Sequence, residues 1–250
     1  MLKKYVFSLT PQEPETMSLQ MGSIFHGIFM DYLPEEVATY LHAQALRPYS
    51  QYILVKNGQA QWHFHVLTKD MMDIMDRLSH AWDGLSVISR QRQKKYTLVL
   101  EKVSEPESYQ SVCRRFFIEK EVKRTIPLYI QTPIAFKSQG EYINWPDTDL
   151  LVRNLYNRWN AFSDAVIFED EEVLAFLQDS CRLGFYKLAS TRFDLEGHYV
   201  PAMQGRFSLR VKGNDMAARW LNLLAYYATY AGIGIKTAIG MGGVRGEESK

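Results

Sequence analysis

Two of the six histidines, His26 and His42, fall in stretches whose apolar spacing predicts helices. An imidazole with an ordinary pKa of about 6.5 can both take up and release a proton near neutrality, so each is a candidate for acid–base work. His26 precedes Gly27, a residue small enough to admit a backbone or a phosphate, while its neighbours Phe25 and Phe29 equally allow a histidine satisfied inside a core. His42 stands near the end of the next helical stretch and is followed by Arg47, a cation that suits an anionic group or an ordinary surface position. Alone, His42 would pass for a solvated or capping residue.

The run from Ala231 to Val244, AGIGIKTAIGMGGV, places five glycines within twelve residues. Glycine permits positive φ and lets another backbone approach closely, so such a segment, carrying Lys236 and Thr237, could cradle phosphates through its amides. It is not a nucleotide-binding P-loop, which follows a strand and precedes a helix with lysine after its last glycine; here a helix comes first. The dinucleotide-binding glycine fingerprint fails for the same reason. Basic residues cluster at Arg90 to Lys95, at Arg114, Arg115, Lys120, Lys123 and Arg124, and from Arg206 through Arg210 to Lys212. Each cluster fits a solvated loop or an anion contact. The net charge of +1 adds no global argument for either.

The elements that must position these residues follow from periodicity. Lys3 to Leu9 alternates as a strand. Met17, Met21, Ile24, Phe25, Ile28, Phe29 and Leu33 recur at helical spacing, with Asp31 and Pro34 marking the stop. Pro34-Glu35-Glu36 opens a second helix, expected to end near Leu46. Tyr49 to Lys56 and Ala60 to Leu67 flank Asn57-Gly58, a hairpin signal. A helix over Lys69 to Ala81 and apolar runs at Leu85 to Ile88 and Tyr96 to Val103 complete a strand, helix, strand, strand, helix, strand order, the ferredoxin-like arrangement. The second half offers a strand region at Leu128 to Lys137, a short strand around Tyr142, helices through Leu150 to Phe162 and Glu171 to Cys181, and strands at Tyr186 to Leu195 and Phe207 to Lys212 around Glu196-Gly197. A long helix from Asp215 to Tyr230 then ends in glycine.

With 250 residues, 46% hydrophobic and 23% charged, the chain has the composition of a globular protein with room for two domains. No apolar stretch reaches the roughly 18 residues of a membrane span and no signal-peptide core follows Met1, so a cytoplasmic location is expected. Cys113 and Cys181, without a CxxC pair, suggest neither a disulfide framework nor a zinc site. The polar stretch from Glu105 to Lys123 is the expected boundary between domains spanning 1–115 and 116–250.

The glycine-rich run behind a helix resembles the C-terminal loop of the CRISPR repeat-processing endoribonucleases. Thr132-Pro133-Ile134-Ala135-Phe136-Lys137, with Gly140-Glu141-Tyr142 and Trp145-Pro146, is similar to that family's SPxxFK, Gly, aromatic, Pro stretch. Phe25-His26-Gly27, and Leu41-His42 before Arg47-Pro48-Tyr49-Ser50, extend the likeness to the first half. The resemblance implies an α+β chain of two tandem ferredoxin-like (RRM-like) domains with a C-terminal glycine-rich loop. It implies cleavage of CRISPR precursor RNA within its repeats by the substrate's own 2′-hydroxyl, leaving a 2′,3′-cyclic phosphate, with no metal and no cofactor.

That reaction needs a base for the 2′-hydroxyl, an acid for the leaving 5′-oxygen and a cation for the phosphorane. His42, His26 and Arg47 are the candidates, with acid and base unassigned between the histidines. Lys137, Gly232, Gly234, Lys236, Thr237, Gly240 and Gly242 are the candidate RNA contacts, and Tyr32, Tyr40 and Tyr49 could assist by hydrogen bonding or by stacking on a base. His63 and His65 share one face of a strand and could in principle ligate a metal, but no third ligand follows; a face near RNA or solvent fits better. Repeat RNA is the expected partner, with proteins of a CRISPR effector complex or a second copy of the chain as further candidates and no membrane. The rival reading is a non-catalytic RNA-binding subunit of such a complex.

Overall fold

The computed structural model describes residues 1–119, 121–165, 170–195 and 197–247; Lys120 and Glu196, named above in a basic cluster and a turn, lie outside them. The first half runs β1 (Lys3–Pro11), α1 (Gly22–Asp31), α2 (Glu35–Ala43), β2 (Tyr49–Lys56), β3 (Gln59–Val66), α3 (Lys69–Trp82), β4 (Ser86–Ser89) and β5 (Lys94–Val103). Its antiparallel sheet has the order β2-β3-β1-β5-β4. Alternation sets the faces: Tyr5, Phe7 and Leu9 on β1 lie opposite Phe64, Trp62 and Ala60 on β3, and all six are buried. Phe25 and Phe29 from α1 and Trp82 from α3 close an aromatic core over that face. Each such side chain contributes on the order of 1.5–3 kcal/mol by burial. Asn57 and Gly58 adopt φ of 50° and 77°, the two positive values that a tight β2–β3 turn needs.

The second half comprises α4 (Tyr109–Arg114), continuing into a π-helical turn at Arg115–Glu119, then β6 (Thr125–Ile130), β7 (Phe136–Ser138), β8 (Glu141–Ile143), α5 (Thr148–Phe162) and α6 (Glu171–Ser180). After these come β9 (Cys181–Leu195), β10 (His198–Val211), α7 (Asp215–Ala231) and β11 (Val244–Arg245). The larger sheet has the order β11-β6-β10-β9, and β7 with β8 forms a separate hairpin. Taking β6, α5, β9, β10, α7 and β11 in sequence, the same order of strands and helices recurs as in the first half. The chain is thus two tandem ferredoxin-like units of α+β class.

Three features differ from expectation. The polar stretch expected between the domains folds as α4, because Tyr109, Val112 and Phe116 supply buried anchors among its charges and join the second core. The β9–β10 hairpin is longer than its apolar runs suggest. Residues such as Arg182, Phe185, Tyr186 and Lys187 are exposed, so no simple inward alternation marks them as strand. Strand β11, two residues long and directly after Gly243, adds the fourth strand of the second sheet and pairs with β6.

The two units meet where the end of α7 covers the outer face of the first sheet. Lys4 Nζ donates to Thr229 Oγ1 at 2.9 Å and lies 4.1 Å from the Tyr230 ring centroid, and Ser50 Oγ donates to the Tyr230 carbonyl at 2.5 Å. Burial pulls the Lys4 pKa down to about 8, against the opposing pull of Glu107. No described helix is long and apolar enough to cross a membrane.

Candidate active site

Helix α1 turns Ile24, Phe25, Ile28 and Phe29 into the core, which leaves His26 half-buried on its flank and Gly27 exposed. From β2, the buried Tyr49 places its hydroxyl oxygen 3.3 Å from His26 Nδ1, with the two rings stacked at 6.2 Å between centroids. The Tyr49 hydroxyl also faces Met30 Sδ at 3.8 Å. Burial first, and then the charges of Arg47 and His42, lower the His26 pKa to about 4, so the free protein holds this ring neutral at pH 7.

Helix α2 begins after Pro34 with Glu35 and Glu36 in its first turn, where the helix dipole favours acids, and it carries His42 exposed in its last turn. Arg47 Nη2 donates to the His42 carbonyl at 3.1 Å, capping an otherwise open helix end and fixing the guanidinium beside the histidine. The three residues named from sequence as His26, His42 and Arg47 therefore share one neighbourhood, assembled from α1, the end of α2 and the loop that leads into β2.

The glycine run packs against this assembly. Gly232 (φ 75°) ends α7, and Gly234, Gly240 and Gly242 also adopt positive φ. A Cβ on Gly240 would stand 2.8 Å from the Cα of Gly22, the first residue of α1, and one on Gly234 would stand 2.2 Å from the Ala135 carbonyl oxygen. These glycines serve close backbone approach. The amides of Gly232, Gly234 and Gly242 donate internally, to Ala228 O, Asn154 Oδ1 and Pro133 O, rather than outward as a phosphate cradle requires. Lys236 is left as the exposed cation of the loop, in the left-handed conformation at φ 58°. Thr237 is buried and accepts a hydrogen bond from Arg158 Nη1 at 2.7 Å.

Lys137 stands exposed on β7, its ammonium 5.7 Å from the ring centroid of Tyr142 across the short hairpin. Tyr32 and Tyr40 are exposed, at 42% and 62%, and so available for stacking, while Tyr49 is wholly buried and is not. The expectation that His63 and His65 face RNA or solvent is corrected for His65. It is buried beneath Tyr230 because the end of α7 covers that face. His63 stacks on Tyr52 at 4.9 Å, with its Nε2 buried and unpartnered. Among the described residues no three His, Cys, Asp or Glu side chains gather where a metal could sit.

Two helix α5 residues that sequence reasoning passed over hold the loop from behind. Asn154 bonds both backbone groups of Gly234, accepting from its N–H at 2.9 Å and donating to its carbonyl at 3.3 Å. Arg158 is buried at 4% exposure, with Nε and Nη2 unpartnered. A signal existed: Leu151, Leu155, Arg158 and Phe162 form the i, i+4, i+7, i+11 stripe of α5, and an arginine in such a stripe calls for a buried partner.

The family model described as CRISPR-associated endoribonuclease Cas6 matches residues 128–244. A protein of that name from Streptococcus thermophilus is 27% identical over 251 residues, spanning all of both chains, and another from Mycobacterium tuberculosis is 28% identical over 90% of this chain and 71% of its own. Among solved structures, a Cas6 product complex aligns with a TM-score of 0.80 at 20% identity over 98% of this chain and 100% of that one. Thermus thermophilus Cas6 aligns with a TM-score of 0.74 at 20% identity over 98% of each. Over nearly its whole length the chain is similar to the CRISPR-associated endoribonucleases named Cas6.

Proposed function

We propose that this protein is an endoribonuclease that cleaves CRISPR precursor RNA within its repeats by attack of a 2′-hydroxyl on the adjacent phosphate, without a metal. The observation that carries the reading is the convergence of His26, His42 and Arg47 beside the docked glycine loop. Two groups able to move protons and one fixed cation are what this reaction needs.

The hydrogen bonds around His26 favour it as the base. Tyr49 can direct its hydroxyl hydrogen to Met30 Sδ and accept from His26 Nδ1–H, which leaves the Nε2 lone pair free. The 2′-oxygen attacks phosphorus as its proton passes to Nε2. His42, exposed at the helix end, donates a proton to the departing 5′-oxygen, and the Arg47 guanidinium balances the phosphorane charge. The products are a 2′,3′-cyclic phosphate and a 5′-hydroxyl. Lys236 and Lys137 contact phosphates away from the cut, and the loop glycines act by shaping the backbone that presents Lys236.

Incubation with repeat RNA in excess chelator tests this reading. One cut per repeat at an undiminished rate is expected; a requirement for added divalent ion would contradict it.

A further inference from the structure

Gln51 lies on β2 and is fully buried, and its hydrogen bonds run to groups other than those assigned to the chemistry. Its amide Nε2 donates to two carbonyls that belong to different halves of the chain: Gly22 O at 2.8 Å, at the start of α1, and Ala238 O at 2.9 Å, in the short 3-10 turn Thr237–Ile239 of the glycine run. The opposite end is fixed as well, because Trp62 Nε1 donates to Gln51 Oε1 at 2.8 Å. A side-chain amide with both donors and its acceptor engaged in a dry site has one orientation.

The spacing gives that orientation a consequence. Tyr49 and Gln51 are two apart on β2, about 6.6 Å along a strand, and point to the same face. Their partners on α1, His26 and Gly22, are four apart, about 6 Å along a helix, and also share a face. Strand β2 therefore grips α1 at two matched rungs. The upper rung holds the histidine, and the lower rung ties the same helix to the loop two residues from Lys236. Gly22 completes the joint: a Cβ there would lie 2.5 Å from Gly240 Cα, so helix and loop touch backbone to backbone.

We propose that Gln51 is a positioning residue that sets the glycine loop in register with α1, and so fixes the distance between the phosphate held by Lys236 and the proton-transferring His26. The proposal rests on the catalytic reading given above. Gln51 contacts neither RNA nor the reacting atoms. Its effect passes through Gly22 and Ala238.

The test compares Gln51→Glu, which keeps the acceptor for Trp62 Nε1 but loses the doubly donating amide, with Gly22→Ala, which leaves Gln51 intact and wedges helix from loop. Alanine at a helical position should not weaken α1 by itself. Single-turnover cleavage at saturating protein is expected to fall about a hundredfold in each, the effect of misplacing a reacting group by about 1 Å, with RNA affinity within about threefold. The double variant should be little worse than either single one. Hydrogen exchange supplies a reading independent of activity. The Ile239 and Met241 amides, which bond to Lys236 O, should exchange at least about tenfold faster in Gly22→Ala.

A wild-type rate in either folded variant, a loss that disappears at saturating protein, or unchanged loop exchange in Gly22→Ala would overturn the proposal. Should Gln51→Glu fail to fold, Gly22→Ala decides alone. Wild-type protein that does not cut repeat RNA would instead contradict the catalytic reading, and the joint would then be judged on exchange.

Discussion

At the scale of single residues, the state of His26 is set by what surrounds it rather than by its type. Burial and the neighbouring Arg47 hold the ring neutral in the free protein, with a pKa of about 4. An RNA phosphate arriving beside Arg47 offsets that guanidinium and favours the imidazolium, so the pKa should rise on binding. An NMR titration of the ring, free and with uncleavable RNA, checks this; an unchanged midpoint would place the phosphate elsewhere. His26→Ala and His42→Ala should each slow single-turnover cleavage about a hundredfold with affinity nearly constant, and the double variant should be only slightly slower than the poorer single one. Multiplying defects would show two independent sites. The sequence named all three candidates for this site and offered Tyr49 only as one tyrosine among several, and it could not name Gln51 or Asn154, because these supports act through hydrogen bonds that join positions from 11 to 187 residues apart.

At the scale of elements, the glycine run is a docked strut whose one exposed cation is Lys236. Lys236→Ala should weaken RNA binding and flatten its salt dependence by about one counterion. Thr237→Val keeps the methyl group that packs against Gly232 but removes the acceptor of a buried guanidinium that already has two unpartnered nitrogens. It should destabilise the fold by about 1–3 kcal/mol, read as a fall in thermal midpoint. The run read as a phosphate cradle from sequence because glycine composition signals freedom of φ and close approach without saying what approaches. Here the partners are Gly22, Ala135 and Ile233. Helices and hairpins with strong periodicity, such as α3 and β2–β3, were legible nearly to the residue. The β9–β10 hairpin was not, since its length comes from cross-strand pairing and not from burial.

At the scale of the whole molecule, two ferredoxin-like units are joined through a polar interface that includes groups able to titrate. Burial, and after it the nearby Lys4, lowers the His63 pKa to about 4 and that of His65 well below its ordinary value. A histidine whose folded pKa lies below its unfolded value of about 6.5 binds more protons when unfolded, so stability drains as pH falls from about 6.5 toward 4. Denaturant midpoints across that range should drop, and less so in His63→Gln; a midpoint independent of pH would contradict the neutral assignment.

The attacking atom is best identified with one substrate: repeat RNA carrying a single 2′-deoxyribose at the nucleotide 5′ of the cut. This RNA should bind as tightly as the all-ribose form yet stay whole, while the all-ribose form should yield a 2′,3′-cyclic phosphate end in chelator. Cleavage of the deoxy substrate at the same bond would show a water or metal-bound nucleophile and contradict the roles given to His26, His42 and Arg47.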